Sequence, residues 1–99
     1  MDTLHEIAIR ITQIHSRIEN IKKQILIEDI HILNIDHKTF RKGYYKIADE
    51  IEILFEKLNS LEDLYLSQVL NLRELLGMAK ETLFYTVYQF YETREKLKI

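Results

Sequence analysis

Apolar residues at Leu4, Ile7, Ile11, Ile14, Ile18, Ile21 and Ile25 fall at alternating intervals of three and four. That spacing keeps them on one side of a helix and repeats as a heptad seam. It predicts a first helix from about residue 3, capped by Asp2 or Thr3. Arg10, Gln13, Arg17, Lys22 and Lys23 lie off the seam. From Ile25 to Ile35 the chain is rich in β-branched residues and alternates locally, a pattern that a strand also shows. A strand needs a partner, and no second candidate stands nearby. The stretch therefore reads as the same helix continuing to about residue 33.

A second seam runs through Phe40, Tyr44, Ile47, Ile51, Leu54 with Phe55, and Leu58. It predicts a helix over 37–58, capped by Asp36 and carrying Gly43 at a cost of about 1 kcal/mol against alanine. Asn59-Ser60 reads as the next break, and Ser60-Leu61-Glu62-Asp63 resembles a capping box. A third helix over 61–96 follows. Its seam is Leu61, Leu64 or Tyr65, Gln68 or Val69, Leu72, Leu76, Ala79, Leu83, Val87, Phe90 and Leu97, with Gly77 in the middle.

The expected fold is all-α: an antiparallel three-helix bundle with coiled-coil-like heptad packing, one domain over 1–99. If Asn59-Ser60 were helical, the last two helices would fuse into a long helical hairpin needing a second copy to bury its seam. Composition agrees with helix. Proline is absent and glycine occurs only at Gly43 and Gly77, so the chain has few of the residues that make tight turns. With 46% hydrophobic and 30% charged residues it has the makeup of a folded protein.

The net charge of −2 is spread without a strongly basic third, which disfavours general binding to duplex nucleic acid. Cysteine is absent, which removes disulfides, thiolate metal sites and cysteine nucleophiles. The first residues lack the apolar core of a signal peptide, and no apolar run is long enough to span a bilayer. The expected location is cytoplasmic, with leaderless secretion as an alternative.

Candidate chemistry is sparse, and the expectation is no enzyme, no catalytic residues, no metal and no cofactor. Glu28 and His31 share a helix face, as in carboxylate-bridged di-metal bundles, yet no second such pair accompanies them. Arg10 and His15 form an Arg-x4-His spacing that resembles the signature of HEPN-type helical ribonucleases, with Ile11 where that family has a polar residue. The resemblance would imply His15 as acid/base and Arg10 as phosphate ligand.

Lys38, Arg41, Lys42 and Lys46 cluster at the start of the second helix, with Phe40, Tyr44 and Tyr45 between them. Cations near a helix start can hold a phosphate, and interleaved rings can stack on unpaired bases. The bland alternative is a solvated face whose rings belong to the core.

Phe84, Tyr85, Val87, Tyr88, Phe90 and Tyr91 form the densest aromatic stretch. Val87 and Phe90 lie on the seam, while Phe84, Tyr88 and Tyr91 form a second stripe and Tyr85 points further round. One face cannot bury them all, and exposed aromatic stripes commonly mark protein interfaces. Phe84, Tyr85, Tyr88 and Tyr91 are therefore the expected protein-binding residues.

The helical hairpin plan, Gly43 at the first bend, and Tyr91-Glu92-Thr93-Arg94-Glu95 resemble the small Trp-x-Gly helical hairpins of type VII secretion and their Tyr-x-x-x-Asp/Glu export pattern. Tyr88 to Glu92 fits the same pattern, and Arg41 stands where the family has tryptophan.

The leading expectation is a non-enzymatic helical interaction module, an adaptor, chaperone-like or inhibitor subunit. Its partner would be another protein or itself as a homo-oligomer, with no membrane. The alternatives are a small helical subunit of a nucleoprotein complex touching single strands through 37–46, a secreted hairpin of the type VII kind, and a phage or mobile-element inhibitor of a host defence protein.

Overall fold

The computed structural model describes residues 3–27 and 37–97. They form three helices: α1 spans Leu4–Ile27, α2 His37–Leu61 and α3 Leu66–Leu97. Among the described residues there is no strand. The chain is an all-α three-helix bundle, and the single long hairpin is not formed. The Asp36 cap, the Glu28–His31 pair and the end of the first helix beyond Ile27 fall outside the described residues.

Thr3 caps α1: its Oγ1 accepts the Glu6 backbone N–H at 3.2 Å, satisfying one donor of the first turn. Each helix then buries most of the described part of the seam its spacing predicts, the start of the third seam excepted. Ile7, Ile11, Ile14 and Ile18 are buried on α1, with Leu4 and Ile21 partly so. On α2 the buried residues are Ile47, Ile51, Leu54 and Leu58, flanked by Tyr44 and Phe55. On α3 they are Val69, Leu76, Ala79, Leu83 and Phe90, with Leu72 and Val87 packed beside them. Thr86 is also buried, its hydroxyl donating to the Thr82 carbonyl at 2.7 Å, so this polar group inside the bundle is satisfied.

The break between α2 and α3 differs from the sequence expectation. Asn59 and Ser60 are helical, and Ser60 does not cap a following helix. Its hydroxyl donates backward to the Lys57 carbonyl at 2.7 Å. The reversal occupies residues 62–65, and Leu64 and Tyr65 donate their N–H groups to the Leu61 carbonyl at 3.2 and 3.1 Å. Leu64 and Tyr65 consequently project into solvent, at 75% and 45% exposure, and do not join the seam. Arg73 braces the turn, donating to Asn59 Oδ1 at 2.6 Å and to Glu62 at 3.4 Å. Gly77 does not interrupt α3.

Contacts at two levels fix the directions: Ile21 of α1 packs on Phe90 of α3 beyond the His15–Leu75 contact, and α2 meets α3 through Asn59 with Arg73 and through Phe40 with Phe90. Arg17 on α1 meets Glu50 on α2 at 2.6 Å, and Lys80 on α3 meets Glu52 on α2 at 2.8 Å. His15 on α1 reaches the Leu75 carbonyl on α3 at 3.1 Å. The helices therefore run up, down and up, with α1 parallel to α3. These half-exposed ion pairs contribute little stability, about 0–1 kcal/mol each, and their value is in register. α3 packs along both neighbours, whereas α1 and α2 touch one another far less. The bundle measures 55 × 20 × 16 Å.

Candidate interaction face

α3 carries more apolar surface than its two neighbours cover. Leu66, Leu70, Gly77, Phe84 and Tyr88 follow one another at intervals of four, seven, seven and four, which keeps them on one side of the helix. That side lies next to α2 and faces outward. Leu66 is 54% exposed, Leu70 50%, Phe84 51% and Tyr88 64%. Tyr85 and Met78 are likewise exposed further round, and Leu75 is exposed near α1. A helix with apolar residues on nearly every side is ordinarily buried on nearly every side. α3 is covered on one.

The sequence-predicted aromatic residues divide. Phe84, Tyr85 and Tyr88 stand in solvent, with Gln89 Nε2 donating to the Tyr85 hydroxyl at 2.9 Å. Tyr91 is half-buried, edge-on to Phe40 and Phe90 at 6.1 and 5.4 Å between ring centroids. It closes one end of the bundle more than it extends the outer face. Sequence reading missed Leu66, Leu70, Met78 and Leu75. The available signal was the count of large apolar residues all round the helix, whereas a search for one seam passes over them.

The basic cluster is exposed at Lys38, Arg41, Lys42 and Lys46, but its rings are engaged. Phe40 stacks on Phe90 at 3.7 Å, and Tyr44 stacks on Tyr45 at 4.5 Å. Arg41 lies over the Tyr45 ring, 5.7 Å from its centroid. Hydrogen bonding from the Arg41 guanidinium, then from Tyr44, pulls the Tyr45 phenol below its ordinary pKa, and Arg41 is raised by the same contact. Tyr44 moves up because its own proton is held by Tyr45 and because it is partly desolvated. In a spectrophotometric titration, Tyr45 is therefore expected to ionise before Tyr44. Arg41→Met should return the Tyr45 transition toward about 10. An unchanged transition would refute the assignment.

Arg10 and His15 are not brought together. Arg10 lines an open cleft of about 750 Å3 between α1 and α2, with Gln13, Arg17, Glu50 and Ile53, and the Arg17–Glu50 pair belongs to the same cleft. His15 points the other way, to α3. The Leu75 carbonyl only accepts, so His15 Nε2 carries the proton in that bond. A second hollow beside Phe84, lined by Ala48, Glu52 and Lys80, holds about 80 Å3, too little for anything beyond a few waters. Among the described residues no group of histidine and acidic side chains is placed to hold a metal ion, and no helix is long and apolar enough to cross a membrane.

Comparison with protein-family models, with curated proteins and with solved structures finds no match to this chain.

Proposed function

We propose that this protein is a non-enzymatic helical interaction module, an adaptor, chaperone-like or inhibitor subunit that works by covering the outer face of α3 with another protein chain. The cytoplasm is its proposed setting. One observation carries the reading: Phe84, Tyr85 and Tyr88 stand half or more exposed on the helix that also leaves Leu66, Leu70 and Met78 in water. Apolar surface held in water forfeits about 25 cal/mol per Å2 that burial would supply. Clusters of exposed apolar residues mark interaction surfaces in folded chains. Tyrosine suits the task, since its ring supplies area and its hydroxyl tolerates both wet and buried states.

The test is a triple substitution, Phe84→Lys, Tyr85→Lys and Tyr88→Lys, followed by circular dichroism and by measurement of assembly with itself and with proteins of its host. Helicity should persist, because each exposed substitution is expected to change stability by no more than about 0.5 kcal/mol. Assembly should be lost. Retained assembly would sink the reading, and collapse of the fold would show these rings to be structural. Tyr91 is left out of the variant because it packs against Phe40 and Phe90.

A further inference from the structure

We infer that the chain covering this face is a second copy of the same protein, its α3 lying antiparallel to the first and crossing it at Gly77. The inference rests on the reading of α3 as an interaction face and names its occupant.

The band is built symmetrically about the glycine. Leu70 and Phe84 stand seven residues before and after Gly77, and Leu66 and Tyr88 stand eleven before and after. A twofold axis at Gly77 sets Leu70 of one copy against Phe84 of the other, and Leu66 against Tyr88. Each layer flanking the crossing then holds one leucine and one aromatic ring, so the two helices touch at Gly77 and diverge equally on either side of it. A parallel pair would stack leucine on leucine at one end and ring on ring at the other, wedging the helices apart. Point-symmetric pairing of one patch with itself is the commonest plan among homo-oligomers.

Gly77 has no other employment. It lies inside a continuous helix, where glycine is less favourable than alanine, and its backbone has no positive φ. A Cβ added there would meet nothing within 4 Å. No element of its own chain comes close enough to require the missing side chain. A helix backbone arriving from outside would require it.

The size is right for a weak dimer. Leu66, Leu70, Phe84 and Tyr88 are each about half exposed or more. Taking ~200 Å2 for a whole large side chain as an upper figure, they offer roughly 400 Å2 per copy and roughly 800 Å2 in all, the scale of a weak, transient interface. The charges along the edges set a limit. On the side of α2, Arg73 of one copy comes near Lys80 of the other, each already paired within its own chain to Glu62 and Glu52. On the outer side Glu74 and Glu81 of both copies meet in open water, a repulsion that salt screens. Association should therefore be concentration-dependent and tighter at moderate salt than at low salt.

The experiment is sedimentation or light scattering of the full chain from low-micromolar to submillimolar concentration, with two sets of variants. The parent mass should rise from 12.0 kDa toward twice that value. Gly77→Leu should stay monomeric throughout while its helicity and unfolding midpoint hold or rise, because the new side chain enters open space. The natural chain has no cysteine, so introduced ones report orientation cleanly. Mixed Leu70→Cys and Phe84→Cys chains should form a crossed disulfide, and Leu70→Cys alone should not link to itself. Self-linking at Leu70 overturns the antiparallel order, and a dimer that survives Gly77→Leu overturns the site. A parent that stays monomeric overturns the second copy alone. The broader reading of the face is then judged separately by the triple lysine variant and a host partner.

Discussion

Phe90→Ala should cost the fold roughly 3–5 kcal/mol, a large part of the 5–15 typical of a domain. Phe90 is fully buried and is the point where all three helices meet at one end: Ile21 of α1, Phe40 of α2 and Tyr91 of α3 pack on it. Its ring lies flat on Phe40, with centroids 3.7 Å apart and planes 15° from parallel. Truncation removes the transfer energy of the ring, strands the face of Phe40 and opens a void. Three separate rigid helices line that void, and they cannot all move in to close it. Urea unfolding checks this, with the midpoint expected to fall at unchanged slope. A loss below about 1 kcal/mol would mean that the end of the bundle can repack, an outcome closer to a volume-conserving swap.

The second large effect separates two adjacent leucines. Leu76→Ala should cost about 2–5 kcal/mol, whereas Leu75→Ala should stay within about 0.5. Leu76 is fully buried in the main core among residues of α1, α2 and α3, and Leu75 is 45% exposed. The bond from His15 goes to the Leu75 carbonyl, which alanine keeps. Equal losses at the two positions, by the same urea measurement, would mean that the rotation assigned to α3 is wrong.

The seams of α1 and α2 were legible because both are narrow and isoleucine- or leucine-lined, with mostly polar residues elsewhere and only isolated exceptions such as the exposed Ile9 and Ile53. α3 was less legible for the opposite reason. With large apolar residues on most sides, periodicity identifies a helix but not which residues meet the neighbours. The sequence treats Tyr88 and Tyr91 as members of one stripe. The side on which α2 lies separates them, since Tyr91 rests against Phe40 and Tyr88 does not. The α2–α3 turn was misplaced because a serine hydroxyl can bond forward as a cap or back to a carbonyl, and Ser60 does the latter. One more helical turn half-buries Leu61, a tertiary gain invisible to local propensity. The separation of Arg10 from His15 could have been read at once. Five residues turn a helix through about 140°, which sends the two side chains toward different neighbours.

The up-down-up order has an electrical consequence. Peptide dipoles of α2 cancel those of one neighbour, and the third helix is left over, placing roughly half an elementary charge of opposite sign at each end of the 55 Å axis. The carbonyl-rich, negative end is where α1 and α3 finish and α2 begins. Among the described residues, Lys22, Lys23, Lys38, Arg41, Lys42, Arg94 and Lys96 belong to these segments, together with Glu92, which pairs with Lys96 at 3.2 Å, and Glu95. At the opposite end Glu6 stands in the first turn of α1, and Glu62 and Asp63 precede α3. Among the described residues the cations thus lean toward the end where the backbone leaves negative charge. Arg94 and Lys96, in the last turn of α3, sit against the negative pole that this helix contributes.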